Sequence, residues 1–230
     1  MSGTPQLPLP LRAESDQRFD TFVDTDKLLE PLREQAMRGR EFILLSGPAG
    51  SGKTHLALAV VQAAMTAGRD ARYVPLTRLQ GRVAAALAGL EQYAVIALDD
   101  LDGVLGGHGD EVALFDFHNR ARAAQCALLY TARETAAGLP VKLPDLASRL
   151  GQCTQLVLPR LDDELRGAIL QRKARMRGLT LDEAVLGFLL RRVGRDMTSL
   201  VALLERIDQA SLAEQRRVTV PFVRTLLESS

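Results

Sequence analysis

Between residues 41 and 158 the chain alternates short, almost wholly apolar runs with longer segments of helical periodicity. The runs are "EFILLS", "ARYVPL", "YAVIALDDLD", "CALLYTA" and "TQLVL". Runs of this length without a polar face predict strands of a parallel sheet covered on both sides. "THLALAVVQAAMTAG", "TRLQGRVAAALAGL" and "GDEVALFDFHNRARAAQ" read as connecting helices, and "GLPVKLPDLASRL" as a proline-marked loop. A further helix precedes the first strand, with Leu28, Leu29, Leu32 and Met37 as its apolar face and Gly39 as its stop. Beyond Pro159 the pattern changes to four helical segments separated by glycine or turn residues. The division is an α/β domain over residues 18–159 and a small all-helical domain over 160–230.

Residues 1–17 fit neither domain. In "QLPLPL", Leu7, Leu9 and Leu11 alternate with Pro8 and Pro10, and the polar run "RAESDQ" follows. Proline lacks the N–H that a central strand needs and fixes φ, so the segment reads as extended. Its leucines have no local core to join. They are either incidental to a frayed terminus or the anchors of a peptide that docks in another protein's apolar groove.

Composition narrows the classes. With 47% hydrophobic and 25% charged residues, the chain can build a sizeable core. Lys plus Arg number 29 against 28 Asp plus Glu, so no global charge points to nucleic acid. Cys126 and Cys153 lack CxxC spacing and read as buried thiols. His55, His108 and His118 have no metal-ligand spacing. No secretory signal precedes the domains, and no run approaches the ~20 apolar residues of a membrane span. The expected location is the cytoplasm, with no membrane partner.

The most specific chemistry is "GPAGSGKT", Gly47–Thr54, set between a strand and a helix as a P-loop requires. Gly47, Gly50 and Gly52 let the backbone turn and aim its N–H groups at phosphate oxygens, and Ser51 belongs to the same cradle. Lys53 reaches the β- and γ-phosphates, and Thr54 offers a hydroxyl to Mg²⁺. "VIALDD" matches the strand that follows in such proteins: Asp99 would hold Mg²⁺, and Asp100 would polarise the attacking water. Acids after an apolar strand also serve as plain turn chemistry; it is the preceding P-loop that gives these two a function. Arg149 in "LPDLASRL" and Arg195 in "GRDMTSL" are ordinary surface arginines or suppliers of positive charge to a nucleotide. In the second reading Arg195 acts within the chain and Arg149 on a neighbouring molecule.

A P-loop sheet, a helical lid and the "LPDLASRL" element between them resemble the AAA+ ATPases of the DnaA initiator clade. "FDTFVDTDKLL" is similar to the segment that opens that clade's nucleotide domain and lines its adenine pocket, and "VTVPFVRTLLE" also fits. DnaA itself carries an N-terminal interaction domain and a helix-turn-helix domain; neither pattern is present in these 230 residues. "QLPLPL" resembles the peptide with which bacterial proteins bind the DNA-polymerase III sliding clamp, the β subunit. The resemblance implies an AAA+ five-stranded parallel sheet with a helical lid, ADP or ATP with Mg²⁺ as cofactors, and DnaA and the clamp as partners. Gln6, Leu7, Leu9, Pro10 and Leu11 match the clamp peptide, Arg149 the arginine finger, Arg195 the sensor 2 arginine and Thr131 sensor 1. The sequence departs at Arg133, where the clade often has an acid.

The implied role is negative regulation of replication initiation: bound to the clamp and carrying ADP, the chain stimulates ATP hydrolysis by DnaA in trans rather than turning over ATP efficiently itself. Direct DNA binding is expected to be weak or absent, and a homo-oligomer is compatible with the reading. The rivals are a DnaA-like adaptor or helicase loader that contacts DNA through "RRVGR" and "QRR", and an autonomous remodelling ATPase.

Overall fold

The computed structural model describes residues 17–22, 26–192 and 197–228. A 3₁₀ turn, Phe19–Thr21, leads into helix α1, Asp26–Met37. Five strands follow: β1 Phe42–Ser46, β2 Ala71–Pro75, β3 Val95–Asp99, β4 Ala127–Ala132 and β5 Thr154–Val157. The helices between them are α2 Lys53–Thr66, α3 Val83–Ala86, α4 His108–Ala123 and α5 Pro144–Gly151. Four more form the lid: α6 Asp163–Met176, α7 Glu183–Arg192, α8 Met197–Glu214 and α9 Val220–Glu228.

The sheet is wholly parallel, in the order β2-β3-β4-β1-β5. The alternation of strand side chains decides what each helix layer covers. Ile43, Leu45, Val95, Ala97, Ala127 and Leu129 face α1 and α2, while Leu44, Ile96, Leu98, Leu128 and Tyr130 face α4 and α5. Both sets are fully buried, which is why the central strands read as unbroken apolar runs. The lid has its own core, including Leu170, Val185, Leu200, Leu204, Ile207 and Val223.

Three local expectations need correction. The helix expected over "TRLQGRVAAALAGL" is broken into two 3₁₀ turns and the four-residue α3. Gly81 and Gly89 take φ of +75° and +74°, which a continuous right-handed helix cannot contain. The proline-marked loop contains α5, which Pro144 opens from its first position and whose Leu146 and Leu150 are buried one turn apart. Met37 is 57% exposed, and Ala36 takes the buried position at the end of α1. Cys126 and Cys153 are buried free thiols, as expected. Among the described residues no helix is long and apolar enough to cross a membrane.

Candidate functional site

The loop between β1 and α2 is shaped by close approach. A Cβ on Gly47 would lie 2.9 Å from the Leu158 carbonyl oxygen and from Ser51 Oγ. One on Gly52, where φ is +101°, would lie 2.5 Å from the Phe22 ring. Gly50, at φ +75°, faces the start of lid helix α8: a Cβ there would lie 3.8 Å from the Met197 nitrogen. Ser51 Oγ is buried, with no hydrogen-bond partner among the described residues. The loop is thus held tightly, yet it leaves a polar atom free inside the phosphate cradle.

Lys53 opens α2 and is 6% exposed. Its ammonium donates to the carbonyls of Gly47 at 2.6 Å and Pro48 at 2.9 Å. Burial pushes its pKa down, against the pull of the Asp100, Asp102 and Asp99 carboxylates.

Asp99 ends β3 at 2% exposure. Thr54 and Tyr73 donate to its Oδ2 at 2.8 and 2.7 Å, and Thr131 donates to its Oδ1 at 2.5 Å. The sheet explains this convergence. Asp99 continues the parity of Val95 and Ala97, and Thr131 that of Ala127 and Leu129, so both lie on the face that carries α2. Tyr73 pairs with Ala97 and lies diagonal to Asp99 across β2 and β3, within reach of a long side chain. Thr131 also accepts the Asp100 N–H at 2.9 Å. That bond holds Asp100 in a left-handed conformation, φ 58° and ψ 58°, just past the strand. Burial and then the neighbouring Asp99 push the Asp100 pKa up. Arg133 is exposed, its N–H donates to Asp102 at 2.9 Å, and its charge acts on both Lys53 and Asp100.

The residues named in Gly47–Thr54, with Asp99, Asp100 and Thr131, are therefore brought together. Arg149 is not among them. It occupies the last turn of α5, five residues before β5 begins, whereas the P-loop follows the other end of β1. Its charge is felt by His118, whose ring meets Phe42, the first residue of β1, edge-on. Arg149 is half-buried, and none of the described residues pairs with its guanidinium. Arg195 and the tail residues Gln6, Leu7, Leu9, Pro10 and Leu11 lie outside the described residues.

Sequence reasoning missed Tyr73, because no motif contains it; the signal was the strand register, which puts an aromatic hydroxyl beside an end-of-strand acid. It also missed how the Phe19–Thr21 turn is fastened. His55, next to Thr54, donates to the Arg18 carbonyl at 2.9 Å, Phe22 packs on His55 and Gly52, and Arg172 of the lid donates to the Asp20 carbonyl.

The donor set fits a nucleotide with Mg²⁺. Hard oxygens of Thr54 and Asp99 lie side by side, the Lys53 ammonium lies within the loop, and Ser51 Oγ has no partner among the described residues.

Comparison with known proteins agrees on the architecture. A family model described as the Hda lid domain matches residues 163–227, and one described as IstB-like ATP binding protein matches residues 11–118. An uncharacterized protein of Haemophilus influenzae is 39% identical over 226 residues, which are 96% of this chain and 98% of that protein. Domain III of the Thermotoga maritima replication initiation protein DnaA superposes with a TM-score of 0.80 at 18% identity, covering 94% of this chain and 97% of its own. A replication initiator DnaA bound to AMPPCP and single-stranded DNA gives 0.69 at 17% identity, covering 88% of this chain and 69% of its own. At these identities the solved structures establish a shared fold, sheet and lid together.

Proposed function

This chain belongs to the Hda-like AAA+ proteins, and from that premise we propose that it is a nucleotide-dependent negative regulator of the initiator DnaA. In this reading ADP or ATP occupies the P-loop. Lys53 exchanges its two carbonyl partners for phosphate oxygens, and Thr54 and Asp99 hold Mg²⁺, which neutralises phosphate charge when bound. Asp100, with its N–H held by Thr131, retains a carboxylate for slow intrinsic turnover. The Gln6–Leu11 peptide tethers the chain to the DNA-loaded sliding clamp, where identical grooves on a ring favour a weak, multivalent attachment.

The observation that supports action in trans is the position of Arg149. It lies toward the opposite end of the strands from its own P-loop, without a partner among the described residues. An unpaired, half-buried guanidinium at that place is suited to a phosphate on a neighbouring molecule. Arginines supplied this way accelerate GTP hydrolysis by about 10³–10⁵ in other P-loop proteins.

The test is ATP hydrolysis by the cognate DnaA with clamp loaded on DNA, with and without this chain. Wild type accelerates turnover; Arg149→Ala binds nucleotide and clamp but leaves DnaA at its basal rate. Stimulation by Arg149→Ala at the wild-type rate would remove that residue from the mechanism. Absence of any stimulation, with clamp binding intact, would make the chain a clamp-tethered adaptor with a different client.

A further inference from the structure

Tyr73 belongs to no nucleotide motif, yet its hydroxyl reaches the same Asp99 oxygen as Thr54 does. We propose that Tyr73 is a positioning residue of the magnesium site, fixing the Asp99 carboxylate so that Oδ2 faces the cation beside Thr54. This rests on the nucleotide reading above.

The argument begins with what an aspartate at a strand end lacks. Its carboxylate turns about two bonds, and a metal ligand free to turn loses that freedom on binding. Here two neighbouring strands pin it from either side. Thr131 of β4 holds Oδ1, and Tyr73 of β2 holds Oδ2. Ala97, between Tyr73 and Asp99 on the same face, has only a methyl group, which leaves room for the phenol ring to reach across.

The three donors to Asp99 differ in one respect. Thr54 is itself a metal-ligand candidate, so a cation that takes a lone pair from its oxygen obliges its proton to turn away. Tyr73 and Thr131 have no such conflict and can keep their bonds with the ion in place. Each carboxylate oxygen offers about two lone-pair sites, so Oδ2 can accept from Tyr73 and still serve the ion or its water shell. A phenol's ordinary pKa is about 10, so the Tyr73 hydroxyl is a donor at neutral pH. Hydrogen-bond partners of this kind typically contribute about 10–100-fold to metal affinity.

The experiment uses the full chain, a fluorescent ADP as the nucleotide and Mg²⁺ as the metal. Affinity for the nucleotide is measured in EDTA and in saturating Mg²⁺, and the Mg²⁺ midpoint is then titrated at fixed nucleotide. Tyr73→Phe keeps the ring and removes the donor; Tyr73→Leu, which keeps apolar bulk against Ala97, takes its place if the first variant melts below the assay temperature. The expected result is EDTA affinity within about twofold of wild type and a Mg²⁺ midpoint raised about tenfold. In an Asp99→Asn background the same substitution leaves the midpoint where Asp99→Asn alone puts it.

An unchanged midpoint overturns the proposal, and so does a parallel loss of affinity with and without Mg²⁺, or a full additive effect on top of Asp99→Asn. A wild-type chain that binds no ADP under either condition overturns the nucleotide reading itself. A wild type that binds ADP with Mg²⁺ dependence, matched by Tyr73→Phe, removes only the role of Tyr73.

Discussion

Replacing Thr131 by Val tests the site where the sheet and the chemistry meet. The side chain is fully buried and the two residues are nearly the same shape, so packing is little changed. Two hydrogen bonds are lost: one donated to the Asp99 carboxylate and one accepted from the Asp100 N–H. A bond to a charged group contributes about 1.5–3 kcal/mol and a neutral one about 1 kcal/mol. Asp99 keeps its bonds from Thr54 and Tyr73, which limits the damage. The expected loss is about 3 kcal/mol, a large fraction of the 5–15 kcal/mol typical of a domain. Urea denaturation followed by circular dichroism would read it as a lower midpoint at unchanged slope. Nucleotide turnover should fall as well, because Asp100 is no longer held in its left-handed conformation. A stability change below about 1 kcal/mol would show that the network is not the anchor inferred from these distances.

Other outcomes are equally specific. His118 is fully buried, with Nδ1 3.1 Å from the Tyr130 hydroxyl and Nε2 without a partner among the described residues. Burial, then Arg122 and Arg149, lower its pKa from 6.5 to about 4. The unfolded chain therefore takes up this proton first. The group's contribution is fully present above pH 6.5 and is lost as pH falls toward 4, about 3 kcal/mol at ~1.4 kcal/mol per pH unit. Stability curves of wild type and His118→Gln should converge over that window; parallel curves would refute the assignment. Gly52→Ala must force a side chain onto Phe22 at φ +101°, so it should destabilise the P-loop by more than about 1 kcal/mol and weaken binding of a fluorescent ADP. Wild-type affinity in that variant would mean that the loop and Phe22 can separate freely.

The central strands β1, β3 and β4 were legible because burial on both faces removes the polar alternation that makes half-exposed strands ambiguous. Thr131 was named only through the family resemblance, as sensor 1; its bonds to Asp99 and to the Asp100 N–H follow from the sheet. The broken helix over 77–90 was not, since apolar spacing says nothing of the φ that Gly81 and Gly89 adopt. α5 was hidden by its prolines, although Pro144 at the first helical position favours a helix start. Tyr73 could be found only from register, which sets it diagonal to an acid 26 positions on. The distance of Arg149 from its own P-loop likewise follows from strand direction, a property that no local pattern records.

The Phe19–Thr21 turn is tied to the P-loop helix through His55 and to lid helix α6 through Arg172. It is a joint with two masters. The turn bears load from both bodies, so any rotation of the lid about the sheet strains or slackens that joint. In the proposed clamp-bound state, a tether joined to this turn would take its orientation from the lid.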